Sequence, residues 1–139
     1  MSRIEQVLYT GKARITGGRD GAARSDDGRL DVPLAHFASA GPGTNPEQLL
    51  AAGWGACYLG VMGTLARRAH LALPREAAVD VEIDLGLTAS AGYRLQARFR
   101  VALPGLDADV AHMLADEAHT MCAYSKALHG NIDIHTSLA

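Results

Sequence analysis

The sequence predicts an α+β fold in which antiparallel sheets pack around a long buried central helix, with a second helical segment near the C-terminus. Three observations carry this. Residues 49–66 contain no charge, residues 79–85 and 93–103 alternate apolar with charged or polar side chains, and the strand patterns come in runs. Strand-helix-strand crossovers throughout would instead alternate the two kinds of element.

The charge-free run opens with a helix start. Thr44 or Asn45 can serve as N-cap, Pro46 suits the first helical position because its missing N–H would have no partner there, and Gln48 completes a capping box with Asn45. A helix apolar on every face belongs inside a core or inside a bilayer. Much of the run is Gly and Ala, which contribute little transfer free energy, and the flanking chain is amphipathic, so a core is expected and a membrane span is not. Gly53, Gly55, Gly60 and Gly63 each cost about 1 kcal/mol against Ala in a helix interior, and close packing is the expected compensation. Gly53, Cys57 and Gly60 share a stripe with Trp54 and Val61, so another element or a small ligand can approach the Cys57 sulfur.

Before that helix, residues 4–15 alternate loosely and predict one or two short strands, with a weak turn at Thr10-Gly11-Lys12. Gly17-Gly18-Arg19-Asp20-Gly21 predicts a tight loop around one arginine. Asp27-Gly28 between residues 22–24 and 30–32 predicts a hairpin, and 36–44 a loop. After the helix, Pro74 breaks the pattern. Two long strands follow, turned at Ser90-Ala91-Gly92, with Asp80, Glu82 and Asp84 on one wet face able to pair with Arg94, Arg98 and Arg100 on the other. Asp107 or Asp109 starts a second helix, with Val110, Met113, Leu114, Ala118 and Met121 at helical spacing. Residues 122–128 restart it after a bend, Gly130 follows as a C-cap, and Ile132, Ile134 and Thr136 alternate as a final strand.

At 139 residues one domain, 1–139, is expected, and a symmetric dimer would help to bury a wholly apolar helix. Net charge is −2 and no basic run exceeds Arg67-Arg68, so the electrostatic footprint of a nucleic-acid binder is missing. Residues 1–12 lack the apolar core of a signal peptide, which makes the cytoplasm the expected compartment. Two cysteines in a reducing compartment are more often core thiols, metal ligands or redox groups than a structural staple.

A reactive cysteine needs a lowered pKa, usually from a cation or a helix N-terminus. Cys57 lies too deep in its own helix for the dipole, so Arg19 is the candidate cation, against the plainer reading of a solvated turn residue. Glu47, in the first helical turn, is already accounted for by the dipole. His119 and Cys122 match no compact zinc signature even with His129, His135 and Cys57 added, and no metal is expected. His112 and His119 read as surface residues of the second helix, and Ser125 lacks a nucleophile-elbow context.

Three blocks then match one family together. TGGRDG at 16–21, GTNPEQLLAAGWGAC at 43–57 and CAYSKALHGN at 122–131 resemble the organic hydroperoxide resistance branch of the OsmC-like proteins, and the resemblance covers essentially the whole chain. It implies an intertwined α+β homodimer with active sites where subunits meet, and thiol-dependent reduction of organic hydroperoxides. By motif, Cys57 corresponds to the peroxidatic thiol and Cys122 to the resolving one. Arg19 corresponds to the arginine that stabilises the thiolate and polarises the peroxide, and Glu47 to the carboxylate that holds that arginine. The chain departs from the pattern in having Ala123 where proline is usual, Leu128 and His129 where Thr-Arg is frequent, and a shorter loop before Gly43. No bound cofactor is implied. The reductant would be an external dithiol of lipoyl type, and the apolar residues near Cys57 would favour bulky organic or fatty-acid hydroperoxides over hydrogen peroxide. The rival from another class is a non-catalytic module that holds an apolar ligand in the same groove, both thiols being mere lining.

Overall fold

The structure, a computed structural model, describes residues 3–139. Contacts gather the chain into two compact units, one running to Pro46 and the other from Glu47 to Ala139.

In the first unit β1 (Ala13–Thr16), β2 (Ala22–Ser25) and β3 (Asp31–Pro33) form an antiparallel sheet in that order. The β1–β2 connection is a single 3-10 turn, Gly18–Asp20, entered through left-handed backbone at Gly17 (φ 70°) and Gly18 (φ 60°). Side chains rarely adopt that conformation, which is why glycines flank Arg19. The predicted Asp-Gly hairpin is present. Leu30 N–H donates to Ser25 Oγ at 2.9 Å and Arg29 N–H to Asp27 Oδ1 at 3.0 Å, closing the turn. The strand or strands predicted for 4–15 are reduced to β1. Residues 4–12 join no ladder, and Ile4, Val7, Leu8 and Tyr9 are exposed. Alternation makes a strand only where a partner edge exists, and no described strand pairs with this segment.

The second unit holds α1 (Pro46–Arg68, whose first residue closes the first unit), β4 (Ala78–Thr88), β5 (Gly92–Ala102), α2 (Ala108–Met121), α3 (Ala123–Leu128) and β6 (Asp133–Leu138). Its sheet has the order β4-β5-β6. β4 and β5 pair antiparallel with Asp80 opposite Arg100 and Glu82 opposite Arg98. The predicted charge pairing resolves into a fork. Arg98 Nη1 and Nη2 donate to the two oxygens of Asp84 at 2.6 and 2.9 Å, with Glu82 3.5 Å from Nη2. Those Arg98 bonds, aided by Gln96, hold the Asp84 carboxyl down at about 2. β6 pairs with β5 in parallel, which corrects the expectation of purely antiparallel sheets. The chain leaves β5, passes through α2 and α3 and returns, and such a helical crossover delivers a strand in the same direction.

Trp54, Tyr58, Met62 and Ala66 of α1 pack against Phe99 and Val101 of β5 and Leu114, Ala118 and Cys122 at the far side. Asp107 caps α2 by accepting from Asp109 N–H at 2.9 Å, as its sequence position suggests. α1 is long and apolar enough to cross a bilayer by length and composition alone, yet one row of it is packed into this core. Within one chain the burial expected of α1 is reached only along that row, and Ala52, Ala56 and Gly60 are exposed.

Candidate functional site

The site is built where α1 passes the break between α2 and α3. Cys122 caps both helices in extended backbone (φ −64°, ψ 123°), its N–H still donating to Ala118 O at 2.9 Å and its carbonyl accepting from Lys126 N–H at 2.9 Å. The break turns the buried Cys122 thiol toward the middle of α1. Both cysteines are free, and Cys122 Sγ–H donates to Cys57 Sγ at 3.1 Å.

The two sulfurs occupy opposite electrostatic environments. Burial pushes the half-buried Cys57 thiol up, but hydrogen bonds from the Cys122 thiol and from the backbone N–H groups of Tyr124 and Ala123 outweigh it, and its pKa falls below the ordinary thiol value. The dipole of α1 does not reach Cys57. The first amides of α3, a different helix, do. Burial pushes Cys122 up. Hydrogen bonds from the Ser125 N–H and hydroxyl oppose this, the Cys57 sulfur adds to it, and the net direction is upward. Proximity thus separates a thiol of lowered pKa from one that holds its proton.

Gly53, one turn before Cys57, answers to Tyr124: a Cβ there would stand 3.1 Å from the Tyr124 oxygen. The aromatic side chain of α3 can therefore lie against α1 one turn from Cys57, the close approach expected at Gly53, whereas Gly60 of the same expected stripe is exposed. Arg19 lies in the 3-10 turn of the first unit, and Glu47 in the first turn of α1.

The surface placement expected of His119 does not hold. His119 is half-buried, not a surface residue, and its ring lies tilted against Tyr58 and edge-on to Phe99 at centroid distances of 4.4 and 4.9 Å. Nδ1 is 2.8 Å from Ser125 Oγ, Nε2 is 2.8 Å from Thr136 Oγ1, and Trp54 Nε1–H donates to the same Ser125 Oγ at 2.9 Å. Burial lowers the His119 pKa and nearby Asp116 partly offsets the fall. Helical spacing placed His119 on α2 but could not reveal that α1, α3 and β6 close around it. The proximity of Ser125 to Cys122 in sequence was the only available signal. Among the described residues no three His, Cys, Asp or Glu side chains gather as a metal site.

A family model described as OsmC-like protein matches residues 39–137. The chain belongs to the OsmC-like family. An organic hydroperoxide resistance protein of Xanthomonas axonopodis pv. citri is 42% identical over 143 aligned positions covering 100% of both chains. Among solved structures, an organic hydroperoxide resistance protein from Legionella pneumophila superposes with a TM-score of 0.89 at 34% identity, covering 96% of this chain and 99% of that one. OhrB of Bacillus subtilis superposes at 0.85 and 35% identity, covering 96% and 100%. These OsmC-like relatives share the α+β architecture described above.

Proposed function

We propose that this chain is a thiol-dependent peroxidase that reduces organic hydroperoxides to alcohols. The observation that carries this reading is the 3.1 Å approach of two free thiols of opposite electrostatic character. The names of the relatives, organic hydroperoxide resistance proteins, supply the substrate class.

The Cys57 thiolate attacks the distal oxygen of the hydroperoxide. The O–O bond breaks, the alkoxide leaves and is protonated to the alcohol, and Cys57 becomes a sulfenic acid. Cys122 then displaces the hydroxyl from the Cys57 sulfur to give a disulfide. A disulfide bond needs about 2.05 Å between sulfurs, so closing it from the reduced separation takes a small shift. An external dithiol, of lipoyl type in our reading, reopens it by exchange. In the same reading Arg19 steadies the thiolate and polarises the peroxide, and Glu47 holds Arg19. The protein works as a homodimer in the reducing cytoplasm, where both thiols start free.

Adding an equimolar organic hydroperoxide to reduced protein is expected to consume both thiols, release the matching alcohol and leave an internal Cys57–Cys122 disulfide by mass spectrometry. Unchanged thiols would overturn the peroxidase. Arg19→Ala is expected to keep the fold but slow Cys57 oxidation by about a hundredfold, the scale on which loss of a positioned electrostatic partner is felt. Oxidation at the parent rate would remove Arg19 from the mechanism.

A further inference from the structure

Cys122 has a proton problem. It is fully buried, and in the reduced state its one proton is donated to Cys57 Sγ. Once Cys57 is a sulfenic acid its sulfur no longer carries the thiolate charge that drew this proton. Cys122 must still lose its proton, because the thiolate and not the thiol attacks sulfur.

The groups around it offer a route away from the two sulfurs. Indole N–H can only donate, so Trp54 Nε1 occupies one lone pair of Ser125 Oγ. Ser125 Oγ retains one further lone pair and one proton, and its two remaining hydrogen-bond neighbours are the Cys122 sulfur and His119 Nδ1. Behind the ring, Thr136 Oγ1 lies 2.8 Å from Nε2 and can accept its proton.

We propose that Ser125 relays the Cys122 proton to His119, so that Ser125 is a catalytic residue and His119 a positioning residue of the disulfide-forming step; this rests on the peroxidase reading above. Before transfer the Cys122 S–H donates to Ser125 Oγ, the Ser125 O–H donates to His119 Nδ1, and the His119 Nε2–H donates to Thr136. After transfer the first two bonds reverse. His119 Nδ1–H donates to Ser125 Oγ, and Ser125 O–H donates to the Cys122 thiolate. Trp54 and Thr136 keep their bonds in both states, so each polar atom is satisfied throughout.

The thiolate then attacks the Cys57 sulfur. An S–S bond forms, the S–O bond breaks, and the departing hydroxide is protonated to water by solvent. His119 returns its proton to solvent on resetting, so the step releases one water and consumes no net proton. Cys122 is oxidised as the sulfenic sulfur is reduced.

Cys57 oxidation and disulfide formation separate in a single-turnover experiment: an organic hydroperoxide is mixed with reduced protein, and the sulfenic acid is trapped by dimedone at intervals. Ser125→Ala and His119→Gln are expected to lower the ratio of the disulfide-forming rate to the sulfenic-acid-forming rate by about a hundredfold, the lower end of what a positioned proton acceptor contributes. The same ratio in both variants and the parent would overturn the relay. Thr136→Val, which leaves Nε2 without its acceptor, is expected to lower the ratio as well.

The parent supplies a test that needs no variant. A ring already protonated cannot accept, so the disulfide-forming rate is expected to fall as the pH drops through the His119 titration, below the ordinary histidine range. The titratable groups that face the ring are Tyr58 from α1 and Asp116 on α2, with Cys122 one step further through Ser125. Tyr58 stays protonated there because burial, then Asp116 and Cys122, raise its pKa. A disulfide-forming rate that does not fall through that window would count against His119. A parent that loses neither thiol to the hydroperoxide would remove the peroxidase reading, and the relay with it. A parent that forms the disulfide while the variants match it would remove the relay alone.

Discussion

Cys57 and Cys122 show how one functional group is given two tasks by its neighbours. The Cys122 thiol donates to Cys57, and the first amides of α3 add to the effect, so the proton of the pair resides on Cys122. Cys122→Ala removes the thiol donor and leaves the amides. The thiolate absorbance of Cys57 is expected to titrate at higher pH in this variant than in the parent, and hydroperoxide is expected to leave it as a stable sulfenic acid. A Cys57 titration that stays in place would mean the amides alone set it. In the parent, alkylation just below the ordinary thiol range is expected to label Cys57 ahead of Cys122, because only Cys57 has its pKa depressed.

At the scale of elements, the β4–β5 hairpin is where sequence and structure agree most closely, because period-two alternation and opposite charges on facing strands restrict register together. Arg98 straddles Asp84 and Glu82, and the folded pKa of Asp84, about 2, lies below the unfolded value of about 3.9. A depressed carboxylate contributes stability that is complete above the unfolded pKa and disappears as pH falls through the folded one. The parent Tm is therefore expected to drop more steeply between those two values than that of Asp84→Asn, and parallel curves would show the fork to be inconsequential. The same logic explains what was not legible. The start of α1 at Pro46, the Asp-Gly hairpin and the cap at Asp107 depend on neighbours in sequence, and each was readable. The parallel placement of β6 and the closure of Trp54, Ser125, His119 and Thr136 into one network depend on a helical crossover that no local period encodes. The alternation at 4–12 was a correct local pattern without a partner strand among the described residues.

On the scale of the whole molecule, α1 poses the question of what covers its other side. Ala52, Ala56 and Gly60 stand exposed at intervals of one turn, and a Cβ placed on Gly60 would meet nothing within 4 Å among the described residues. The homodimer we propose gives that glycine a purpose, since small residues let a second backbone approach. The sign of one substitution decides. In an isolated chain Gly60→Glu replaces a poor helix former with a good one at an open position, so the Tm should rise, by an amount corresponding to somewhat under about 1 kcal/mol. In a dimer closed over this face the same change buries a charge without a partner, so the Tm should fall and dissociation should accompany it. We expect the second outcome: parent protein sedimenting at twice 14.6 kDa with a concentration-dependent Tm, and Gly60→Glu sedimenting as a less stable monomer. A monomeric parent stabilised by Gly60→Glu would overturn the dimer and leave the exposed row of α1 as ordinary surface.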